Sequence, residues 1–408
     1  MKKYIYLFCF FIFINLTAQN EINYFTKINF ENHIIEETSQ FVCFISYSIP
    51  YNQLIFIKEN ERFLSGLSIS FEIFDRAGFI KREFSDVSVT IDDYDLSGSE
   101  YLKLNGFAKI NLDMEKYSIK PFISLNNTNL TLPCLPFEID LSTKKDSILF
   151  SPISVSKMNS GLVLLNENNK IKYEDDNSSL LFLLNSQSDS INIEIKQGNK
   201  TVFDKMVVPK LLGSLKYKLF NSLIFLQNDT SSIGYKTLLL NNVNKFLDEG
   251  DFVVELKTKT KFLKFNLKSE WINKPKSLSY PEIVISALKI ILPKDSVYLL
   301  NRVKEEEFYK KVKDIFNKNF PSKNRFNSRF YEFFKRVDFV ETNFRSLKSK
   351  LGVESDRGVI YLKYGEPDNI DRDYKARDDI SEIWTYKALN KVFTFIDKTG
   401  TGDYLMVQ

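Results

Sequence analysis

The chain has 408 residues, 43% of them hydrophobic and 26% charged, with 56 Lys and Arg against 52 Asp and Glu and a net charge of +4. Charges of both signs are interspersed without a basic block, so the electrostatic footprint of a nucleic-acid binder is missing. One histidine, His33, with the distant Cys43 and Cys134, excludes a His-based zinc centre and makes a poor zinc set of any kind. The length predicts two or three domains. The 37 Phe and 20 Tyr, with abundant Ile, Val and Thr, favour sheets.

Met1–Ala18 reads as a signal peptide: Lys2 and Lys3 supply the positive end, Tyr4–Leu16 the apolar run, and Thr17-Ala18 a small-residue cleavage point. Cys9 lies between Phe8 and Phe10 with no lipobox. The expectation is a soluble exported protein, with a retained membrane anchor as the alternative. No later stretch reaches the ~18 apolar residues of a spanning helix, so no transmembrane span is expected in the mature chain, though peripheral membrane association stays open. After export only Cys43 and Cys134 remain, and they fit either one disulfide or two buried thiols.

Residues 21–40 form a polar lead-in, and His33 within it reads as a surface residue. Residues 41–143 alternate short strands with turns, most clearly at Phe41–Ile49, Leu67–Phe74, Val87–Ile91, Ala108–Leu112 and Phe137–Leu141, which predicts an antiparallel β-sandwich domain over 19–145. Residues 146–274 repeat the texture and predict a second sandwich. Pro275 and Pro281 punctuate a boundary, and 275–322 reads as a helical connector: one helix from Pro281 to Leu292, stopped by Pro293, and another from Asp295 to about Asn319. The last domain, 323–408, opens on a helix over about Asn324–Lys350 with phenylalanines at helical spacing and Gly352 at its C-cap. The whole is a multidomain, mainly β chain ending in helices and a small α+β domain.

In that last domain Arg357–Tyr364 is β-branched and aromatic, which suits a strand. Gly365-Glu366-Pro367-Asp368 is turn chemistry. Residues 369–380 read as a solvated loop, and Glu382–Tyr386, Val392–Asp397 and Asp403–Val407 as further strands. Four such strands need a helix against one face.

Gly352-Val353-Glu354-Ser355-Asp356, followed by Arg357-Gly358, Tyr361, Tyr364-Gly365, Pro367-Asp368, Trp384, Tyr386, Phe395, Asp397, Gly400, Gly402 and Tyr404, resembles the GWxTD-domain family. Val353 stands where that family's motif has Trp, and Ser355 where it has Thr. The preceding helix fits through Glu332-Phe333, Arg336-Val337 and Phe344. The resemblance implies an exported bacterial envelope protein of unestablished function, in the periplasm or envelope of a Gram-negative bacterium.

The residues that could carry chemistry are few. Asp397-Lys398-Thr399-Gly400-Thr401 matches the phosphorylation motif of P-type ATPases, but here it falls between two strands and reads as a hairpin turn. Asp371-Arg372-Asp373 lacks the rest of an EF-hand loop. Asp356, Glu366 and Asp368 could pair for acid–base work or simply tie turns. Tyr361, Tyr364, Trp384 and Tyr386 form either an exposed strip for a partner or core between sheet and helix. Together with Arg357 and Pro367 these make the candidate partner-binding or structural motif. No cofactor is implied. Asp146-Ser147-Ile148, Asp189-Ser190-Ile191 and Asp295-Ser296-Val297 resemble the O-glycosylation acceptor of some Gram-negative exported proteins.

Two functions compete: a non-catalytic envelope protein whose C-terminal module binds a protein partner, and a periplasmic hydrolase-type enzyme using the C-terminal carboxylates. The G-x-P turn before the W-x-Y strand adds a local likeness to outer-membrane assembly accessory domains.

Overall fold

The structure, a computed structural model, describes residues 24–407 apart from 38–39, 143–151, 160, 166–168, 175–176, 185–189, 230–234, 258–261, 347 and 374–379. Met1–Ala18 and the Asp146-Ser147-Ile148 site lie outside the described residues. The chain forms two units, one running to Ser147 and including Tyr217–Ile224, the other made of Ile148–Lys216 and Phe225–Gln408.

In the first unit the strands are β1 (Asn29–Glu37), β2 (Gln40–Pro50), β3 (Ile57–Glu59), β4 (Arg62–Phe74), β5 (Phe79–Ile91), β6 (Lys103–Leu112), β7 (Lys116–Leu125), β8 (Thr131–Pro133) and β9 (Phe137–Asp140). One sheet has the order β1-β2-β6. The other runs β3-β4-β7-β8, with β5 on β4 and β9 on β7. The two sheets meet through aromatic rings, Phe30 on Phe71 at 5.8 Å and on Phe137 at 5.9 Å, and through the Tyr47 hydroxyl, 2.8 Å from that of Ser85.

The lead-in is not a lead-in. Nine of the eleven β2 residues are buried, so β2 is a central strand and needs a neighbour on each side. Asn29–Glu37 supplies one of them, in antiparallel register with His33 opposite Phe44. His33 is consequently 7% exposed rather than on the surface. Its Nδ1 lies 2.7 Å from the Tyr217 hydroxyl and its Nε2 3.4 Å from Glu31, while Tyr217 stacks on Phe44 at 4.2 Å. Cys43 and Cys134 are buried free thiols, and burial pushes the Cys134 thiol up to about 12.

The strands after residue 147 are β10 (Ile153–Met158), β11 (Gly161–Leu164), β12 (Lys170–Lys172), β13 (Ser178–Leu184), β14 (Ile191–Gln197), β15 (Lys200–Val207), β16 (Lys210–Phe220), β17 (Leu223–Asp229), β18 (Tyr235–Leu240), β19 (Gly250–Lys257) and β20 (Phe262–Glu270), all in the second unit except the Tyr217–Ile224 portion of β16 and β17. Pairing runs β10-β11-β17-β16-β18-β13 and returns to β10, with a second sheet in the order β12-β20-β19-β14-β15. Phe182 and Leu184 of β13, Ile193 and Ile195 of β14 and Val254 and Leu256 of β19 share one buried cluster, so a single core joins the two sets of strands.

Helices follow: α1 (Pro281–Ile291), α2 (Lys294–Tyr298), α3 (Glu305–Asn319), α4 (Ser328–Asn343) and α5 (Asp356–Tyr364). The helix expected over 295–319 is broken by a 3-10 turn at Leu299–Arg302 and restarts at Glu305, where three successive glutamates favour a helix N-terminus. α4 is shorter than expected, because Asn327 caps it with its side chain and it ends at Asn343. Gly352 is therefore not its C-cap. The segment read as a strand, Arg357–Tyr364, is the helix α5. The supposed loop after it contributes β21 (Asn369–Asp373) instead, which joins β22 (Ile380–Tyr386), β23 (Lys391–Asp397) and β24 (Leu405–Met406) in the order β21-β22-β23-β24. Among the described residues no helix is long and apolar enough to cross a membrane.

Candidate functional site

The site is the corner where α4, α5 and the C-terminal sheet meet. α4 buries Phe330, Phe333, Phe334, Val337 and Val340 along one face. A 3-10 turn, Gly352–Glu354, then runs against the end of that face. A Cβ on Gly352 would stand 2.2 Å from the Val340 carbonyl oxygen, and one on Gly358 would stand 2.1 Å from the Gly352 carbonyl oxygen. Both positions require glycine because backbone packs on backbone there. Glu341 on α4 accepts the Val353 N–H at 2.9 Å and is held by Arg345 at 2.7 Å.

Ser355 is the N-cap of α5. Its hydroxyl accepts the Gly358 N–H at 3.0 Å and donates to the Gly352 carbonyl at 2.7 Å, satisfying a donor the helix itself cannot. Asp356 sits in the first helical turn, where a carboxylate is favoured. It accepts the Met406 N–H of β24 at 2.7 Å.

Arg357 is only 8% exposed. Its guanidinium lies over Tyr404 at 3.9 Å and Phe344 at 4.8 Å, and donates to the Gly402 carbonyl at 3.3 Å and to Glu382 at 3.3 Å. Glu382, itself buried, also accepts from Arg372 at 2.9 Å and from the indole N–H of Trp384 at 3.1 Å. The buried pair is thus fully satisfied, the condition under which burying charge is tolerable.

Trp384 packs on Phe344, Tyr361 and Phe395, and Tyr386 donates to the Gly365 carbonyl at 2.8 Å. Burial raises the pKa values of Tyr361 and Tyr386 above the usual phenol range. Of the four aromatic candidates, Tyr361, Trp384 and Tyr386 are core and Tyr364 is half-buried against Phe393 at 5.4 Å.

Asp368 accepts the Lys387 N–H at 2.6 Å, Pro367 is buried and Glu366 is exposed. Asp356 stands at one end of α5 and Glu366 and Asp368 beyond the other. Nine residues of helix span about 13 Å, wider than the ~6.5–9.5 Å at which an acid and a base share a glycosidic bond. Among the described residues no three acidic, Cys or His side chains come together to hold a metal.

Asp397 closes the turn that mimics an ATPase motif. Burial pushes its carboxyl up, but the N–H groups of Gly402 (2.6 Å) and Thr399 (3.1 Å) and the Thr399 hydroxyl outweigh this and hold it below the usual carboxylate range.

The geometry is that of a sequence motif spent on its own packing: glycines for close approach, a hydroxyl cap, and an acid reaching to the neighbouring strand. Residues 267–403 match the GWxTD domain family. Its members are exported bacterial envelope proteins of unestablished function. The matched segment starts within β20 and takes in all five helices and most of the C-terminal sheet. No curated protein matches the chain. The departures from the naming motif cost little here: Val353 is 1% exposed and fills core, and Ser355 keeps the capping hydroxyl. Sequence reasoning missed Glu382 as the hub of the corner. Its position two residues before Trp384 and four before Tyr386 puts it on their face of the strand, and that alternation is the signal that finds it.

Proposed function

We propose that the protein works at the periplasmic side of a Gram-negative envelope, where its GWxTD domain docks a protein partner and the two upstream β regions, each a sandwich, hold that domain in place. The reading rests on the outer face of the C-terminal sheet. Its inner face is covered by helices, and it buries Glu382, Trp384, Tyr386 and Phe395. On the outer face Ile383 is 37%, Leu405 48% and Val392 53% exposed, and Thr385 and Thr394 stand beside them in register. A row of β-branched and apolar side chains left in water suits a protein interface. Asp356 is set apart from Glu366 and Asp368 by the length of α5, so an acid–base pair in the hydrolase reading would have to come from Glu366 and Asp368.

Incorporating a photo-crosslinking amino acid at Val392 tests it in the exporting cell, with Phe84 on β5 as the control position. A discrete adduct at position 392, lost when Ile383 is changed to Lys, is the expected result. Adducts that are the same at both positions, or none at 392, sink the proposal.

A further inference from the structure

A second, unrelated feature lies within the same unit, between the Asn242–Glu249 loop, α3 and the α3–α4 connection. It is a cleft of about 670 Å³, a volume in the range of small-molecule sites. Its cations are Lys245, Lys310, Lys313, Lys323 and Arg325, against the carboxylates of Asp248, Glu249 and Asp314. The pairing inside it is lopsided. Asp248 takes both Lys313, at 3.1 Å, and Arg325, at 3.5 Å. Glu249 is held by Lys274 through both oxygens, at 3.0 and 3.1 Å. Lys245, Lys310 and Lys323 make no ion pair among the described residues. A wall so arranged brings excess positive charge, on the exposed Lys245, Lys310 and Lys323, around one concave space, where the charges act together on an anion.

The Gln197 clamp on Asp248 and the fixing of Lys313 make this a prepared site. The Asp248 backbone is clamped on both sides by the Gln197 side-chain amide, which donates to its carbonyl at 2.8 Å and accepts its N–H at 2.8 Å. Lys313 is fixed between Asp248 and the Tyr173 hydroxyl at 2.8 Å. Burial pulls the Lys313 ammonium down, but Tyr173 and Asp248 more than restore it, so it stays charged. On the wall the buried Tyr309 hydroxyl stands beside the Glu249 carboxylate, which raises its pKa.

We propose that this cleft binds a phosphate-bearing ligand of sugar-phosphate size, with Lys245, Lys310 and Lys323 on the phosphate and Asp314, Asn317 and Asn324 facing the ligand's hydroxyls. Several lysines acting as point charges suit a dianionic phosphate, whereas a lone carboxylate would need only one of them.

The test is calorimetric titration of the full chain with glucose 6-phosphate, inorganic phosphate and glucose, and the fluorescence of Trp271, 5.9 Å from Tyr173, gives a second readout. Glucose 6-phosphate binds and glucose does not. The double variant Lys310→Glu, Lys323→Glu weakens binding by roughly 30-fold or more. Lys245→Glu alone weakens it by about 5-fold. Vesicles of phosphatidic acid in phosphatidylcholine that compete with glucose 6-phosphate identify a lipid headgroup as the source, and vesicles that do not identify a soluble one. No binding of glucose 6-phosphate or phosphate at millimolar concentration, or unchanged affinity in either variant, overturns the site.

Discussion

Glu382 and Asp248 are each gathered by two cations, yet one cluster is closed and the other open. Glu382 is 4% exposed at its side chain, and Arg357, Arg372 and the Trp384 indole use up its oxygens. Asp248 is 47% exposed, and its partners Lys313 and Arg325 face a cleft along with three unpaired lysines. The same ion-pair chemistry therefore serves cohesion where water is excluded and reception where it is not. Coulomb attraction and desolvation both grow as the surroundings dry, so removing one partner is costly inside and nearly free outside.

Perturbing each side of this contrast gives graded outcomes. Arg357→Met strands Glu382 with one exposed cation and should cost about 3 kcal/mol in urea unfolding, and a loss below ~1 kcal/mol would place the corner among ordinary surface pairs. Gly352→Ala forces a methyl into the Val340 carbonyl and should cost about 2 kcal/mol in the same unfolding measurement. Ser355→Ala should lose about 1 kcal/mol and Ser355→Thr almost nothing, as circular dichroism melts would report.

Asp397 adds a pH dependence. Its folded pKa is depressed, so the stability it gives is complete above the unfolded carboxylate value near 4 and is lost as pH falls through the lower folded value. Wild type should lose stability in that acid window more steeply than Asp397→Asn, and parallel acid titrations would break the assignment. On the open side, Asp248→Asn should change stability by no more than about 0.5 kcal/mol while altering phosphate affinity.

How much of this is legible in the residues depends on which physics decided the element. The β texture upstream is plain, because alternation and turn residues are local. α5 is misread because Val359, Ile360 and Tyr361 have strand propensity, while the helix is decided by its ends, the Ser355 cap and Gly365, and by burial of Arg357, Ile360 and Tyr361 at helical spacing. β1 is misread because Glu31, Asn32 and His33 look polar. The need for a second neighbour to β2 is a tertiary fact. The cleft is beyond sequence reading altogether, since Gln197, Asp248, Lys313 and Arg325 are brought together only by the fold.

The Tyr217 contact with His33 has a bearing on how the protein is made. The two residues are 184 positions apart, and Tyr217–Ile224 belongs to the first unit although 69 residues of the second, Ile148–Lys216, come before it. Closing so long a loop is slow relative to pairing adjacent strands. The first unit then cannot finish when its own strands have left the ribosome or the export channel. Until residue 224 arrives, the ring of Phe44 lacks its stacking partner and the only imidazole in the chain is buried without its phenol. A fragment cut at residue 147 would carry that gap permanently, since Tyr217–Ile224 is part of the first unit although it is made after Ile148–Lys216.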